Sequence, residues 1–245
     1  MSAASLAWLQ FRLERRMFWR NPTAAFFNFL LPLLFLFLIA TAFGSDRDDM
    51  EVLVPGIAGM AIMTTTFTSL AFNVTFLREQ GILKRIYGTP TPPLAYFGGL
   101  IGSAILNALA QVALIVLIGH WIYDLAWPQA WGELLVFTVA GVAAFASLGI
   151  AFSHLIPNYD AAAAYVNAVF LPLIFISGTF YSTESLPAVL DGIASALPLK
   201  HAIDGLRDAM VAGDGLGDNL GALAALVAWA AAGVVLAVRF FRWED

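Results

Sequence analysis

The sequence predicts an all-α integral membrane protein. It has six membrane-crossing helices, an N-terminal helix lying along the membrane and two short outer helices before the last crossing. Three observations predict this. Hydrophobic residues make up 60% of the 245-residue chain and charged ones only 12%, against about half and about a quarter in soluble domains. Six runs carry few charges, each long enough to cross about 30 Å of hydrocarbon as a helix. The basic residues gather at alternate ends of those runs, as membrane insertion requires.

Taken in order, the first 20 residues carry a stripe of Leu6, Leu9, Leu13 and Met17. Trp8, Phe18, Trp19 and the neighbouring arginines suit the headgroup level. The first crossing is 24–43. Ala40-Thr41-Ala42 resembles a signal-peptidase site, but the apolar run is too long for a signal h-region, so an uncleaved span is expected. The second crossing is 52–76 and the third 94–123, with the basic stretch 77–88 between them. The fourth and fifth are 131–156 and 161–181. Residues 182–215 read as two short helices: Ser185 caps the first, Pro198 breaks it from the second, and Gly213 and Gly215 end the second. They are apolar on one side and too short to cross, so they should dip into the outer leaflet. The sixth crossing is 216–241, and residues 1–245 form one membrane domain.

Charge orients the bundle. Nine of the twelve basic residues (Arg12, Arg15, Arg16, Arg20, Arg78, Lys84, Arg85, Arg239 and Arg242) fall on one face. The other face holds Arg47, Lys200 and Arg207 among many acids, so both termini are expected in the cytoplasm and the chain in the plasma membrane. The turn 154–160 has no Lys or Arg and takes its side from parity alone.

Several chemistries are excluded. Without cysteine there is neither a disulfide nor a thiolate metal site. Lys84 and Lys200 follow leucines, so there is no Gly-Lys-[Ser/Thr] phosphate loop and no nucleotide site on this chain. The three histidines form no HExxH, and the pair His201–Asp204 supplies two ligands where a metal site needs more. The stretch Asp191–Ser195 resembles the opening of the intramembrane alcohol phosphotransferases. However, Ser195 and Ala196 replace its Ala-Arg, and Ala209 and Gly213 replace two later aspartates. No catalytic residue, metal or bound cofactor is expected, and no nucleic-acid partner.

The stretch "FLREQGILKRIYGTPTPP" (76–93) is the basic exception in an apolar chain. As one helix over 77–88 it puts Glu79, Ile82, Leu83 and Ile86 on one face and Arg78, Gly81, Arg85 and Gly88 on the other. Glycine inside a helix costs about 1 kcal/mol, which points to a close approach at Gly81. Basic charge alone would suit lipid headgroups. Two glycines and a Thr-Pro-Thr-Pro-Pro stop suit a groove on another protein.

Residues 78–101, "REQGILKRIYGTPTPPLAYFGGLI", resemble the cytoplasmic segment of ATP-binding-cassette permeases of the type-2 exporter class, with Ile82 where Thr is usual. Residues 172–207 resemble a second family stretch through Pro172, Ser177-Gly178, Leu186-Pro187, Pro198 and Arg207. The daunorubicin-resistance branch is the nearer one. The resemblance implies a permease working as a pair, a homodimer or with a related permease, in membrane lipid, with ATP and Mg on separate cytosolic ATPase subunits. It makes 77–88 the coupling helix, with Arg78, Glu79, Gly81, Leu83, Lys84, Arg85 and Gly88 its working residues. It implies outer half-helices carrying Ser177, Gly178, Pro187, Pro198 and Arg207. It also implies a cavity lined by the second and fifth spans, for which Met63, Phe67, Ala71, Asn167, Phe170 and Ile174 are the expected wall. Such a wall fits a hydrophobic drug-like or lipid-like cargo, with carbohydrate or polymer export as the alternative. Glu79, an acid on the apolar face, is expected to find a cation on the interfacial helix: Arg12, Arg15 or Arg16.

Overall fold

The computed structural model describes residues 2–43, 46–89, 92–181, 187–213 and 215–240. Every regular element among them is helical, and six helices are long and apolar enough to cross a membrane. Helix α1 (Ala3–Arg20) opens on Ser2, whose hydroxyl accepts from the Ser5 amide. Helix α2 (Pro22–Phe43) is apolar all round, as a lipid-facing span should be.

The next crossing is the longest and the most deeply buried: α3 (Arg47–Met63), one π-helical turn over Thr64–Thr68, and α4 (Ser69–Glu79). In it Thr64 and Thr66 donate their hydroxyls to the carbonyls of Met60 and Ile62 at 2.8 and 2.6 Å. Such back-bonding satisfies a hydroxyl inside a span and loosens the local backbone ladder. The short α5 (Ile82–Tyr87) precedes the 31-residue α6 (Pro93–Tyr123). Then come α7 (Trp131–Phe152) and α8 (Tyr159–Ile176). The short α9 (Ala188–Ala196) and α10 (Pro198–Arg207, continued by a π turn to Ala212) follow, and α11 (Leu220–Phe240) closes the chain.

The expected fourth crossing stops four residues early, because the chain turns at Ser153. The fifth ends at Ile176 rather than 181, because Gly178 takes a left-handed conformation (φ 77°) and reverses the chain. The Ser185 cap lies outside the described residues.

Small residues let the helices meet. Helix α11 lies along α7, where Gly233 faces Ser147, and α7 crosses the π turn, where Gly149 faces the Phe67 backbone. Gly56 leaves room for the Thr179 carbonyl, and Gly205 for the Phe137 ring. Without a hydrophobic force between helices in lipid, such backbone approach supplies the packing. Helix α1 runs lengthwise on the first half of α6, with Gln10 and Phe11 against Gly99 and Gly102. Its Leu9, Leu13 and Met17 stripe is left exposed.

Candidate functional site

The basic stretch is not one helix. Helix α4 ends at Glu79, and Gly81 turns left-handed (φ 65°) before α5 starts. Nothing lies within 4 Å of where a Gly81 Cβ would be, so the glycine serves the turn and not the expected close approach. The break also resets the register, so Glu79 shares no continuous face with Ile82, Leu83 and Ile86. Leu83 is fully buried in a cluster with Leu70, Val74, Tyr96, Leu100 and Ile150, which pins α5 under the bundle. Lys84, Arg85 and Gly88 are exposed.

Arg78 and Glu79 face the turn between α7 and α8. The Arg78 guanidinium donates from Nη1 to the Ser153 carbonyl at 3.0 Å and from Nη2 to the Ile156 carbonyl. These carbonyls lie just beyond the C-terminal end of α7, where the helix dipole favours a cation. Glu79 Oε2 accepts from the Tyr159 amide at 2.6 Å, on the first residue of α8, where the dipole favours an anion. The Asn158 side chain caps the same helix by accepting from the Ala161 amide. Two adjacent side chains of opposite sign therefore hold the two helix ends that meet at one hairpin turn. Their contact also brings 154–158 to the same end of the bundle as α5, where parity had put it.

The expected partner of Glu79 is therefore corrected. Arg15 donates to Asn107 Oδ1, with its guanidinium 5.4 and 5.7 Å from the Phe18 and Trp19 rings, while Arg12 and Arg16 stay exposed. The cause is the path of α1, which follows α6 while the end of α4 sits beside α7 and α8.

A cavity of about 740 Å³ opens above Arg78. Met63 and Phe67 from the second crossing line it, with Phe145 and Phe152 of α7, Leu173 of α8 and Trp229 of α11. Arg78 and His154 stand at one end and Leu197 and Pro198 at the other. Of the remaining expected wall residues, Ala71 and Ile174 are buried in the core, Phe170 packs against it, and Asn167 is exposed outside this wall. The α8 contribution comes instead from Val169 and Leu173, four residues apart. The α7 and α11 sides were missed by sequence reasoning, although Phe145, Leu148 and Phe152 recur at helical spacing.

A family model described as "ABC-2 type transporter" matches residues 6–211. The chain belongs to the ABC-2 type transporter family. It is a permease, the non-catalytic membrane subunit of a transporter, and ABC-2 permeases work with ABC ATPase subunits. It is similar to Nodulation protein J of Rhizobium leguminosarum bv. viciae, 28% identical over 86% of this chain and 85% of that protein. The daunorubicin resistance ABC transporter permease protein DrrB1 of Streptomyces coeruleorubidus is also 28% identical, over 74% and 66% of the two chains. The inner membrane transport permease YadH of Escherichia coli K12 is 21% identical over 71% and 70%.

Two further features of this ABC-2 permease bear on its working parts. Ser177 is buried and Gly178 makes the turn after α8; Pro187 caps α9, Pro198 opens α10 and Arg207 closes it. Trp229 Nε1 donates to the Ala196 carbonyl at 3.1 Å, so the α9–α10 junction is tied to the middle of α11. The second feature is a buried polar set unforeseen from sequence. Thr65 Oγ1 donates to Gln111 Oε1 at 2.8 Å, and Gln111 Nε2 donates to the Asn28 carbonyl at 3.1 Å. Asn107 and Gln111, four apart in an otherwise apolar span, were the available signal.

Proposed function

We propose that this permease exports hydrophobic, drug-like or lipid-like amphiphiles, driven by ATP hydrolysis on separate cytosolic subunits. One observation supports the reading most: Arg78 belongs both to the wall of the apolar cavity and to the clamp beside α5. Helix α5 is then the coupling helix. Its exposed Lys84, Arg85 and Gly88 seat in a groove of the ATPase, and buried Leu83 anchors it to the bundle. The termini are cytoplasmic, the membrane is the plasma membrane, and the functional unit holds two permeases. The cargo reading rests on the wall, which is dominated by Phe, Leu and Trp side chains and suits an apolar body better than a sugar polymer.

The test is reconstitution with the cognate ATPase in proteoliposomes. Hydrophobic amphiphiles should stimulate ATP hydrolysis. Phe67→Trp and Leu173→Trp, which narrow the cavity from opposite sides, should abolish stimulation while basal hydrolysis persists. Undiminished stimulation in both variants, at equal assembly, would remove the cavity from the transport path.

A further inference from the structure

Three helix ends meet at the end of the bundle opposite the α7–α8 turn. Helix α7 starts there, α10 ends there in its π turn, and α11 starts there. Asn219, the residue before α11, sits between the other two. Its Nδ2 donates to Glu133 Oε1 at 3.1 Å and to Asp208 Oδ2 at 2.6 Å. One neutral amide thus serves two carboxylates, one on α7 and one on the π turn. These partners lie 86 and 11 residues from it along the chain, so no local spacing announces the set.

Glu133 is the third residue of α7, where a glutamate ordinarily reaches back to the amide of the residue before the helix. That amide, on Ala130, donates instead to the Ala209 carbonyl at 3.0 Å. Glu133 is only 6% exposed, and its Oε2 is buried with no hydrogen-bond partner among the described residues. No described lysine, arginine or histidine forms an ion pair with it. A buried carboxylate oxygen without a donor or a counter-charge is costly to hold.

The chemistry of the three side chains says what would relieve that cost. Water would give Oε2 a hydrogen bond but no positive charge, and a proton would serve one carboxylate. A divalent cation serves both. The Asn219 amide carries an acceptor oxygen beside its NH₂, so rotating it offers Oδ1 where Nδ2 now donates. The donors are then both Glu133 oxygens, an Asp208 oxygen and Asn219 Oδ1. Such an oxygen-only set, drawn from three separate elements, suits Ca²⁺, which takes about six to eight oxygens in flexible geometry and completes its shell with water. Zn²⁺ would call for nitrogen or sulfur, and Mg²⁺ for a near-ideal octahedron. Solvent is at hand, because Ala212, Gly213, Gly217 and Asp218 beside the set are exposed.

We propose that Glu133, Asp208 and Asn219 form a Ca²⁺ site that ties the starts of α7 and α11 to the end of α10. On the orientation proposed above it faces the cell exterior. It makes no demand on the cargo.

The test uses the purified full-length permease, first stripped with a chelator. Thermal unfolding is followed as Ca²⁺ is added at constant ionic strength. Tb³⁺, a luminescent stand-in for Ca²⁺, reports occupancy through energy transfer from Trp131, two residues from Glu133. Ca²⁺ should raise the midpoint, with half its effect between about 0.1 and 1 mM, as in extracellular modules. Mg²⁺ should do less. Glu133→Gln and Asp208→Asn should each weaken the Ca²⁺ response and the Tb³⁺ signal at least about tenfold. In chelator Glu133→Gln should unfold no earlier than wild type, whereas a carboxylate with a purely structural role would be missed there. Asn219→Asp keeps a good helix cap and adds a third carboxylate, so it should bind Ca²⁺ more tightly and unfold earlier in chelator. That gain keeps the test decisive if the neutral variants fail to assemble. No midpoint shift at about 10 mM Ca²⁺, well above that range, would overturn the proposal. So would a response retained by both neutral variants, which would put the cation on other acids. A shift that Na⁺ or Mg²⁺ matches at equal ionic strength would be screening, and one produced by acid in place of Ca²⁺ would put a proton at Glu133; either also overturns it.

Discussion

The clamp on the α7–α8 turn makes an asymmetric prediction. Arg78→Gln removes a guanidinium that donates to two backbone carbonyls, those of Ser153 and Ile156, from a half-buried position. Hydrogen bonds to charged groups are worth about 1.5–3 kcal/mol each. With glutamine able to keep one weaker bond, the loss should be about 2–4 kcal/mol on that scale. Glu79→Gln is milder, because Glu79 is exposed and its one bond is to the Tyr159 amide. An exposed carboxylate at a helix N-terminus contributes about 0.3–1 kcal/mol. Arg78→Lys should fall between, since an ammonium keeps the charge but not the fork that spans two carbonyls. The assay is thermal unfolding of the purified permease, read alongside amphiphile-stimulated hydrolysis in the assembled complex. The order of midpoints should be wild type, Glu79→Gln, Arg78→Lys, Arg78→Gln, with stimulation falling in the same order. Raised salt should shrink the Glu79 effect more than the Arg78 effect, because exposed charges are the better screened. A Glu79→Gln loss equal to or above that of Arg78→Gln would refute the reasoning. So would an Arg78→Gln variant as stable and as well coupled as wild type.

Three other outcomes follow from single positions. Gly81→Ala should cost about 1–2 kcal/mol from the left-handed backbone alone, and Gly81→Asn less, since no neighbour crowds the site; equal midpoints for the two variants would contradict a purely conformational cost. Gly56→Ala puts its Cβ on the Thr179 carbonyl oxygen and should prevent stable assembly, whereas Gly132→Ala, with nothing within 4 Å, should be silent; size-exclusion profiles of the purified variants decide it. Asp49→Cys and Ala212→Cys should react with an impermeant thiol reagent on intact cells and Thr89→Cys should not; labelling of the last would invert the orientation drawn from the basic residues.

The six crossings were legible in the sequence because inserting about 20 apolar residues is a local sum over neighbours along the chain. Pro198 and Gly213 punctuated α10 for the same reason, each acting on its own dihedrals. Local chemistry was insufficient where one residue has two uses. Gly81 could have served a close contact or a left-handed turn, and only the folded backbone shows the turn. Glu79 called for a positive partner. Whether that was an arginine or a helix N-terminus depended on whether α1 or the α7–α8 turn lay beside the end of α4. Contacts across roughly 80 residues of chain leave no local signature. The cavity divides the same way: an apolar wall was foreseeable from composition, and the structure places Met63 and Phe67 on the wall of the cavity above Arg78. Yet α8 shows the cavity Val169 and Leu173 instead of Asn167 and Phe170, because the packing of α8 against α4 sets its rotation and a nearly uniform apolar helix carries little moment to specify it.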